Sequence, residues 1–241
     1  MEKIWIISRK ELASYFDSLI AYIMIILFLG LSGFFTWLFG STIFLINQAS
    51  LQVFFGISYW TLFFFIPAIT MRSLAEENRA GTIELLSTKA VSDWDIVLGK
   101  FLSNFLLVAI ALACTLPYYL TVSFLGNIDH GAVIGGYLGL LLMSAMYISI
   151  GIFSSSMTNN QIVAFLVALL IGLFFHILFD VMASGFTGSI GSILDYLSAR
   201  THYESLSRGV FDTRDLIYYV TIIFLGLVLS ETMLSKRNWQ H

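Results

Sequence analysis

Charge is scarce in this chain. Charged residues make up 11% of its 241 residues, against about a quarter in soluble domains. Hydrophobic residues make up 58%, and the mean hydropathy is +0.88. The longest uncharged run extends from Ser18 to Met71. This composition excludes a soluble globular protein, and we predict an all-α integral membrane protein.

Cysteine and proline are also rare. The single cysteine, Cys114, cannot form a disulfide framework or a cysteine-based zinc site within the chain. The two prolines, Pro67 and Pro117, both lie in apolar runs, where the missing amide predicts a kink or a tolerated irregularity. His130 beside Asp129 offers two adjacent ligands, which do not make a metal site, and we expect no metal there.

The uncharged runs are long enough to be counted in membrane spans. A bilayer core of about 30 Å needs about 20 apolar residues at a helical rise of about 1.5 Å each. Two spans are predicted in Ser18–Met71, one in Phe101–Leu125, two in Gly135–Asp180 and one in Leu216–Leu234. The total is six transmembrane helices.

The positive charges indicate the orientation of these spans. In a six-span topology most lysines and arginines fall on one side of the membrane, which by the positive-inside rule is the cytoplasmic side. The opposite side receives Arg200, Arg208 and Arg214. We therefore predict that both termini are cytoplasmic. The apolar run after Asp17 is too long for a cleavable signal peptide, and we expect none. The residues on the basic side are Lys3, Arg9, Lys10, Arg72, Arg79, Lys89, Lys100, Lys236 and Arg237.

Residues 1–18 are amphipathic on a helical wheel. Ile4, Trp5, Leu12, Tyr15 and Phe16 share one face, which favours a helix lying in the membrane interface. An ordinary cytoplasmic extension of the first span is the alternative.

A charged segment, residues 72–96, separates the second and third spans. Gly81 marks a break in this segment, and Ser92 with Asp95 three residues later resembles a capping box at the start of the third membrane helix. A short helix in the segment would transmit a push from a cytoplasmic partner to the neighbouring spans. A solvated connector is the alternative.

Two ionisable residues occur late in the fifth span. His176 and Asp180 are one helical turn apart, and ionisable side chains in a span usually face protein or water. They would contribute to a transport pathway as a proton relay or a substrate contact, or Asp180 would lie at the membrane interface. Residues 183–214 then form the longest extracytoplasmic segment, and Asp212 with Asp215 three residues later forms a cap signal before the last span.

No nucleotide-binding loop is present. Gly99-Lys100 is followed by Phe101, and Trp94 stands where the P-loop pattern requires glycine. We therefore predict that the chain is not an ATPase and binds no cofactor itself.

Two stretches of the charged segment resemble a known family. GTIELL (81–86) and VSDWDIVLGK (91–100) are similar to sequences that follow the second span of type-2 ABC (ABC-2) transporter permeases. The resemblance covers residues 1–241 as a single transmembrane domain, although Ala90 replaces a proline common in relatives. Within the family the chain most resembles permeases of gliding motility, which implies a bacterial inner-membrane location.

The resemblance also implies partners. These are an ATP-binding cassette subunit carrying ATP-Mg, a second permease copy or a related permease, and an accessory membrane protein with an outer domain, all in a lipid bilayer; no nucleic acid is expected. Two alternatives remain open: a scaffold or force transmitter that moves no solute, and an ion-coupled carrier using His176 and Asp180. By resemblance, the residues that contact the ATPase are Glu76, Glu77, Arg79, Gly81, Thr82, Glu84, Leu85 and Leu86.

Overall fold

A computed structural model describes residues 2–39, 49–81 and 91–237. Over these residues the chain is helical, with turns and no strand, which confirms the predicted all-α class. The helices are α1 (Glu2–Asp17), α2 (Ile20–Gly33), α3 (Gln52–Thr70), α4 (Ala75–Ala80), α5 (Asp93–Ala113), α6 (Leu116–Leu125), α7 (His130–Ser156), α8 (Gln161–Leu173), α9 (Phe179–Gly185), α10 (Ser189–Leu197), α11 (Ala199–Ser207) and α12 (Thr213–Arg237).

Six helical segments in the described part of the chain are long and apolar enough to cross a membrane, as predicted. They are Ile20–Leu38, Gln52–Ala80, Asp93–Leu125, His130–Ser156, Gln161–Gly185 and Thr213–Lys236.

Helix α7 is the centre of the bundle, with α3, α5, α8, α11 and α12 packed around it. In its most apolar stretch 72% of residues are buried, against 22% for the span Gln161–Gly185. Small residues let its neighbours approach closely. A Cβ on Gly151 would collide with Thr70 of α3, and a Cβ on Gly226 of α12 would lie 2.7 Å from the Ser149 hydroxyl.

Helix α1 packs across the start of α5. Gly99 provides the crossing point, because a Cβ there would lie 2.6 Å from Ile7. Tyr15 is buried in this contact, whereas Trp5 remains 55% exposed. The predicted N-terminal helix is confirmed, and its place in the membrane interface remains a prediction.

The two prolines have different effects. The third span breaks between α5 and α6, and Pro117 lies in the first turn of α6, where its missing amide costs no helical hydrogen bond. Pro67 instead lies within α3, which continues to Thr70.

The fifth span changes its helical geometry part-way. Helix α8 passes into a π-helical turn, Phe174–Leu178, before α9 begins, and His176 lies in that turn. A π turn inserts an extra residue and is frequent at functional sites.

The segment predicted at 183–214 contains the end of α9, the short helices α10 and α11, and the first turn of α12. Asp212 caps α12 as expected, since its carboxylate accepts a hydrogen bond from the Arg214 amide at 2.9 Å. The expected capping partner, Asp215, binds His202 instead.

Candidate functional site

The predicted site residues that the structure describes fall in two places at opposite ends of the bundle. The first, here called the basic end, comprises α1, α4, the start of α5 and the turn between α7 and α8. The second is a cleft lined by α3, the π turn, α9 and α11.

At the basic end the last turn of α7 and the polar turn after it hold helix α4. The Ser155 hydroxyl accepts hydrogen bonds from the amides of Leu74 (3.0 Å) and Ala75 (2.9 Å) and donates one to the Met71 carbonyl (3.0 Å). Helix N-terminal amides have no partner within the helix, so this hydroxyl serves as their cap from another helix. The Asn78 amide adds a 3.4 Å bond to the Thr158 carbonyl. Helix α4 is therefore fixed to the end of α7.

A buried lysine joins three elements at this end. Lys100 of α5 is 2% exposed, and its ammonium lies 2.8 Å from Glu77 of α4 and 3.4 Å from Glu11 of α1. A buried charge is tolerated when it is paired and hydrogen bonded. Lys100 thereby ties α4 and α1 to the start of the third span.

A hydrogen-bond network of neutral side chains continues from Lys100. The Tyr15 hydroxyl donates to the Asn104 side-chain oxygen at 3.0 Å, and the Asn104 amide donates to the Ser73 hydroxyl (3.2 Å) and the Lys100 carbonyl (2.7 Å). Burial raises the pKa of Tyr15 to about 12, so its hydroxyl remains a donor at neutral pH.

The residues predicted to contact an ATPase have different surroundings. Glu76 is exposed and pairs with Arg72 at 3.0 Å, and Arg79 is also exposed. Glu77 faces Lys100, and Gly81 ends α4 with a left-handed φ of 67°. The remaining four, Thr82, Glu84, Leu85 and Leu86, lie outside the described residues.

The capping box predicted at the start of α5 is confirmed: Asp95 N lies 3.2 Å from Ser92 Oγ, and Ser92 N lies 3.1 Å from Asp95 Oδ2.

The Lys100 cluster was not predicted from the sequence. One feature of the sequence pointed to this cluster: Lys100 lies inside a membrane helix, seven residues after Asp93. Such a charge needs a partner, but its partners, Glu11 and Glu77, come from distant parts of the chain.

The cleft brings His176 and Asp180 together with residues of α3 and α11. Its volume is about 610 Å³, within the range of small-molecule sites. The lining residues are Gln52, Phe55, Gly56, Tyr59, Trp60, His176, Ile177, Asp180, Val181, Arg200, Tyr203, Glu204, Ser207 and Arg208.

His176 lies at the base of this cleft and is 1% exposed. Its ring stacks between Tyr59 (centroids 4.1 Å apart) and Phe63 (4.2 Å). Its Nδ1 lies 2.8 Å from the Tyr147 hydroxyl, while Nε2 has no hydrogen-bond partner among the described residues.

Asp180 belongs to a charged chain at the rim. Its carboxylate lies 3.2 Å from Arg200 Nη1, and Arg200 Nε donates to Glu204 at 2.7 Å. Arg200 therefore bridges the end of the fifth span and α11. No signal in the sequence indicated this pairing.

A second histidine fixes α11 to the last span. His202 Nδ1 lies 2.6 Å from Asp215, and Nε2 lies 2.9 Å from the Tyr196 carbonyl. A carbonyl only accepts, so Nε2 carries a proton. Within the described residues, no cluster of three or more metal-ligating side chains was found.

A family model described as "ABC-2 family transporter protein" matches residues 6–235. The chain belongs to the ABC-2 transporter family. The match covers all six spans, α4 and the cleft, so the chain is a permease, the membrane component of an ABC transporter. No match was found among curated proteins. Family membership implies an ATP-binding cassette partner for this permease, in agreement with the missing P-loop.

Proposed function

We propose that this permease is driven by a separate ATPase subunit that docks on the basic end, which faces the cytoplasm. The observation that carries the proposal is the way α4 is held. It exposes Glu76 and Arg79 on one side and is attached on the other to two further spans, through Ser155 of α7 and Lys100 of α5. A helix fixed in this way moves with its neighbours when a partner pushes it.

Helix α3 provides the mechanical connection to the cleft. It precedes α4 in the same span, Gln52–Ala80. Near its end Thr70 packs against Gly151 of α7, and near its start Phe55, Tyr59 and Trp60 line the cleft. A tilt of this helix would change the cleft and the basic end together, as in switching between two packed arrangements.

The cleft is the proposed entry to the pathway, with His176 at its base and Asp180 at its rim. Two permease copies, or this chain and a related permease, would complete the pathway. The proposed setting is the bacterial inner membrane and a gliding-motility complex with an accessory outer-domain protein. This finer assignment rests on the resemblance of residues 81–100.

The docking surface is tested by co-purification in mild detergent with the ATPase recovered by pull-down. Charge reversals Glu76→Lys and Arg79→Glu should each reduce the recovered ATPase by about tenfold, since truncating a contact at an interface hot spot costs 2 kcal/mol or more. The control is Asp212→Lys, an exposed acid at the opposite end of the bundle.

Unchanged recovery with both basic-end variants would contradict the proposed docking. Reconstituted ATPase activity then separates a transporter from a force transmitter, because only a transporter responds to a transported solute. An ion-coupled carrier would stay active without the ATPase and lose coupling with Asp180→Asn.

A further inference from the structure

The base of the cleft contains two buried polar atoms with no partner among the described residues. They are His176 Nε2 and the Tyr59 hydroxyl, on side chains that are 1% and 5% exposed. The Tyr147 hydroxyl and His176 Nδ1 share a hydrogen bond whose donor depends on the tautomer of the ring, whereas the unpartnered Tyr59 hydroxyl can donate to a ligand with either tautomer. A buried polar group left unsatisfied costs about 1–3 kcal/mol. This base therefore favours a ligand with acceptor oxygens.

The rim has two arginines and two carboxylates, but both carboxylates bind the same arginine. Asp180 and Glu204 both bind Arg200. The Arg208 guanidinium donates only to the Glu204 carbonyl at 3.1 Å, and no carboxylate in residues 2–39, 49–81 or 91–237 lies within 4.0 Å of it. The cleft therefore favours an anionic group at Arg208.

One side of the cleft is apolar and faces away from the bundle. Trp60 is 47% exposed and Val181 is 58% exposed, and both belong to membrane-spanning segments. Ile177 also lines the cleft. Around such a span the exposed surface contacts lipid tails, so the cleft opens towards the hydrocarbon.

We propose that the cleft binds an anionic phospholipid, with its phosphate at Arg208, its ester oxygens towards His176 and Tyr59, and an acyl chain along Trp60, Ile177 and Val181. The inference deepens the proposed function by naming the ligand class of the cleft. Its test needs no ATPase, so the two can fail independently.

The test is native mass spectrometry of the full chain in detergent with added dioleoylphosphatidylglycerol. Arg208→Gln should raise the dissociation constant about tenfold, the effect of losing one charge-assisted hydrogen bond. Arg208→Lys should bind more tightly than Arg208→Gln. His176→Phe preserves the ring stack and should weaken binding about threefold or more. Arg214→Gln, an exposed arginine outside the cleft, is the matched control and should bind as the wild type does.

Two further probes distinguish the source of the anion. Dioleoylphosphatidylcholine should bind more weakly than the anionic lipid, and millimolar inorganic phosphate should not displace it. Equal retention by Arg208→Gln and Arg214→Gln would overturn the proposal. Displacement by inorganic phosphate alone would also overturn it, because the site would then take a soluble anion.

Discussion

The two ends of the bundle differ in whether their buried polar groups have hydrogen-bond partners among the described residues. At the basic end Lys100, Tyr15 and Asn104 find partners on three different elements, and the buried ammonium faces two carboxylates. In the cleft, Tyr59 and His176 are buried just as deeply, yet each has a polar atom without a partner in the described chain. The first arrangement fixes helices to one another, and the second leaves bonding capacity for a ligand.

The largest expected effect is at Lys100. Lys100→Met removes the cation and leaves Glu11 and Glu77 facing each other, with both about a fifth exposed. Breaking a buried ion pair costs about 3–5 kcal/mol, and partial exposure of the carboxylates places our expectation at the lower end, about 3 kcal/mol. The measurement is the unfolding midpoint in detergent.

The control is Lys236→Met, since Lys236 is exposed at the same end. A double variant, Lys100→Met with Glu77→Gln, should recover part of the loss. Equal midpoints for Lys100→Met and the control would show that the cluster does not hold α1, α4 and α5 together.

The next effect is at the contact between α3 and α7, which connects the two ends. Gly151→Ala would place a methyl group against the Thr70 side chain. Overpacking of this kind costs about 1–3 kcal/mol. Gly30→Ala is the control, because its added Cβ would have no atom of the described residues within 4 Å, apart from the backbone of its own helix and its two chain neighbours. Equal unfolding midpoints for Gly151→Ala and Gly30→Ala would show that α3 and α7 are not tightly packed at this contact.

Two Tyr→Phe variants, one at each end, have the smallest expected effect on stability and test the comparison of the two ends most specifically. Tyr15→Phe removes a hydroxyl that donates to Asn104 and should destabilise the protein by about 1 kcal/mol. Tyr59→Phe removes a hydroxyl with no described partner and should be neutral or slightly stabilising. Both are measured by thermal unfolding without added lipid. A larger loss of stability with Tyr59→Phe than with Tyr15→Phe would contradict the difference between the two ends.

Much of the fold could be predicted because spans follow from local composition. The uncharged runs predicted six helices, and the Ser92–Asp95 spacing predicted the start of α5. Gly81 marked the end of α4 correctly, and the kink considered at Pro117 corresponds to the break between α5 and α6. Each of these features depends on residues close together in the chain.

The sites depend on residues far apart in the chain and were predicted only in part. Lys100 meets Glu11 across 89 positions, and Asp180 meets Arg200 across 20. Asp215 shows why pattern alone fails: its spacing fits a cap, but His202 offers a buried partner that the spacing does not reveal. His176 was found because an ionisable residue in a span is rare, whereas its aromatic neighbours resemble any lipid-facing residues.

The central claim is that ATP acts at the basic end through a separate subunit and changes the cleft at the other end. It is tested by the distance between spin labels at two exposed residues, Ser184 of α9 and Val210 shortly after α11, in a Cys114→Ser background. The account predicts that ATP-Mg shifts this distance in the complex with the ATPase and leaves it unchanged in the permease alone. The same distance in the complex with and without ATP-Mg would contradict it.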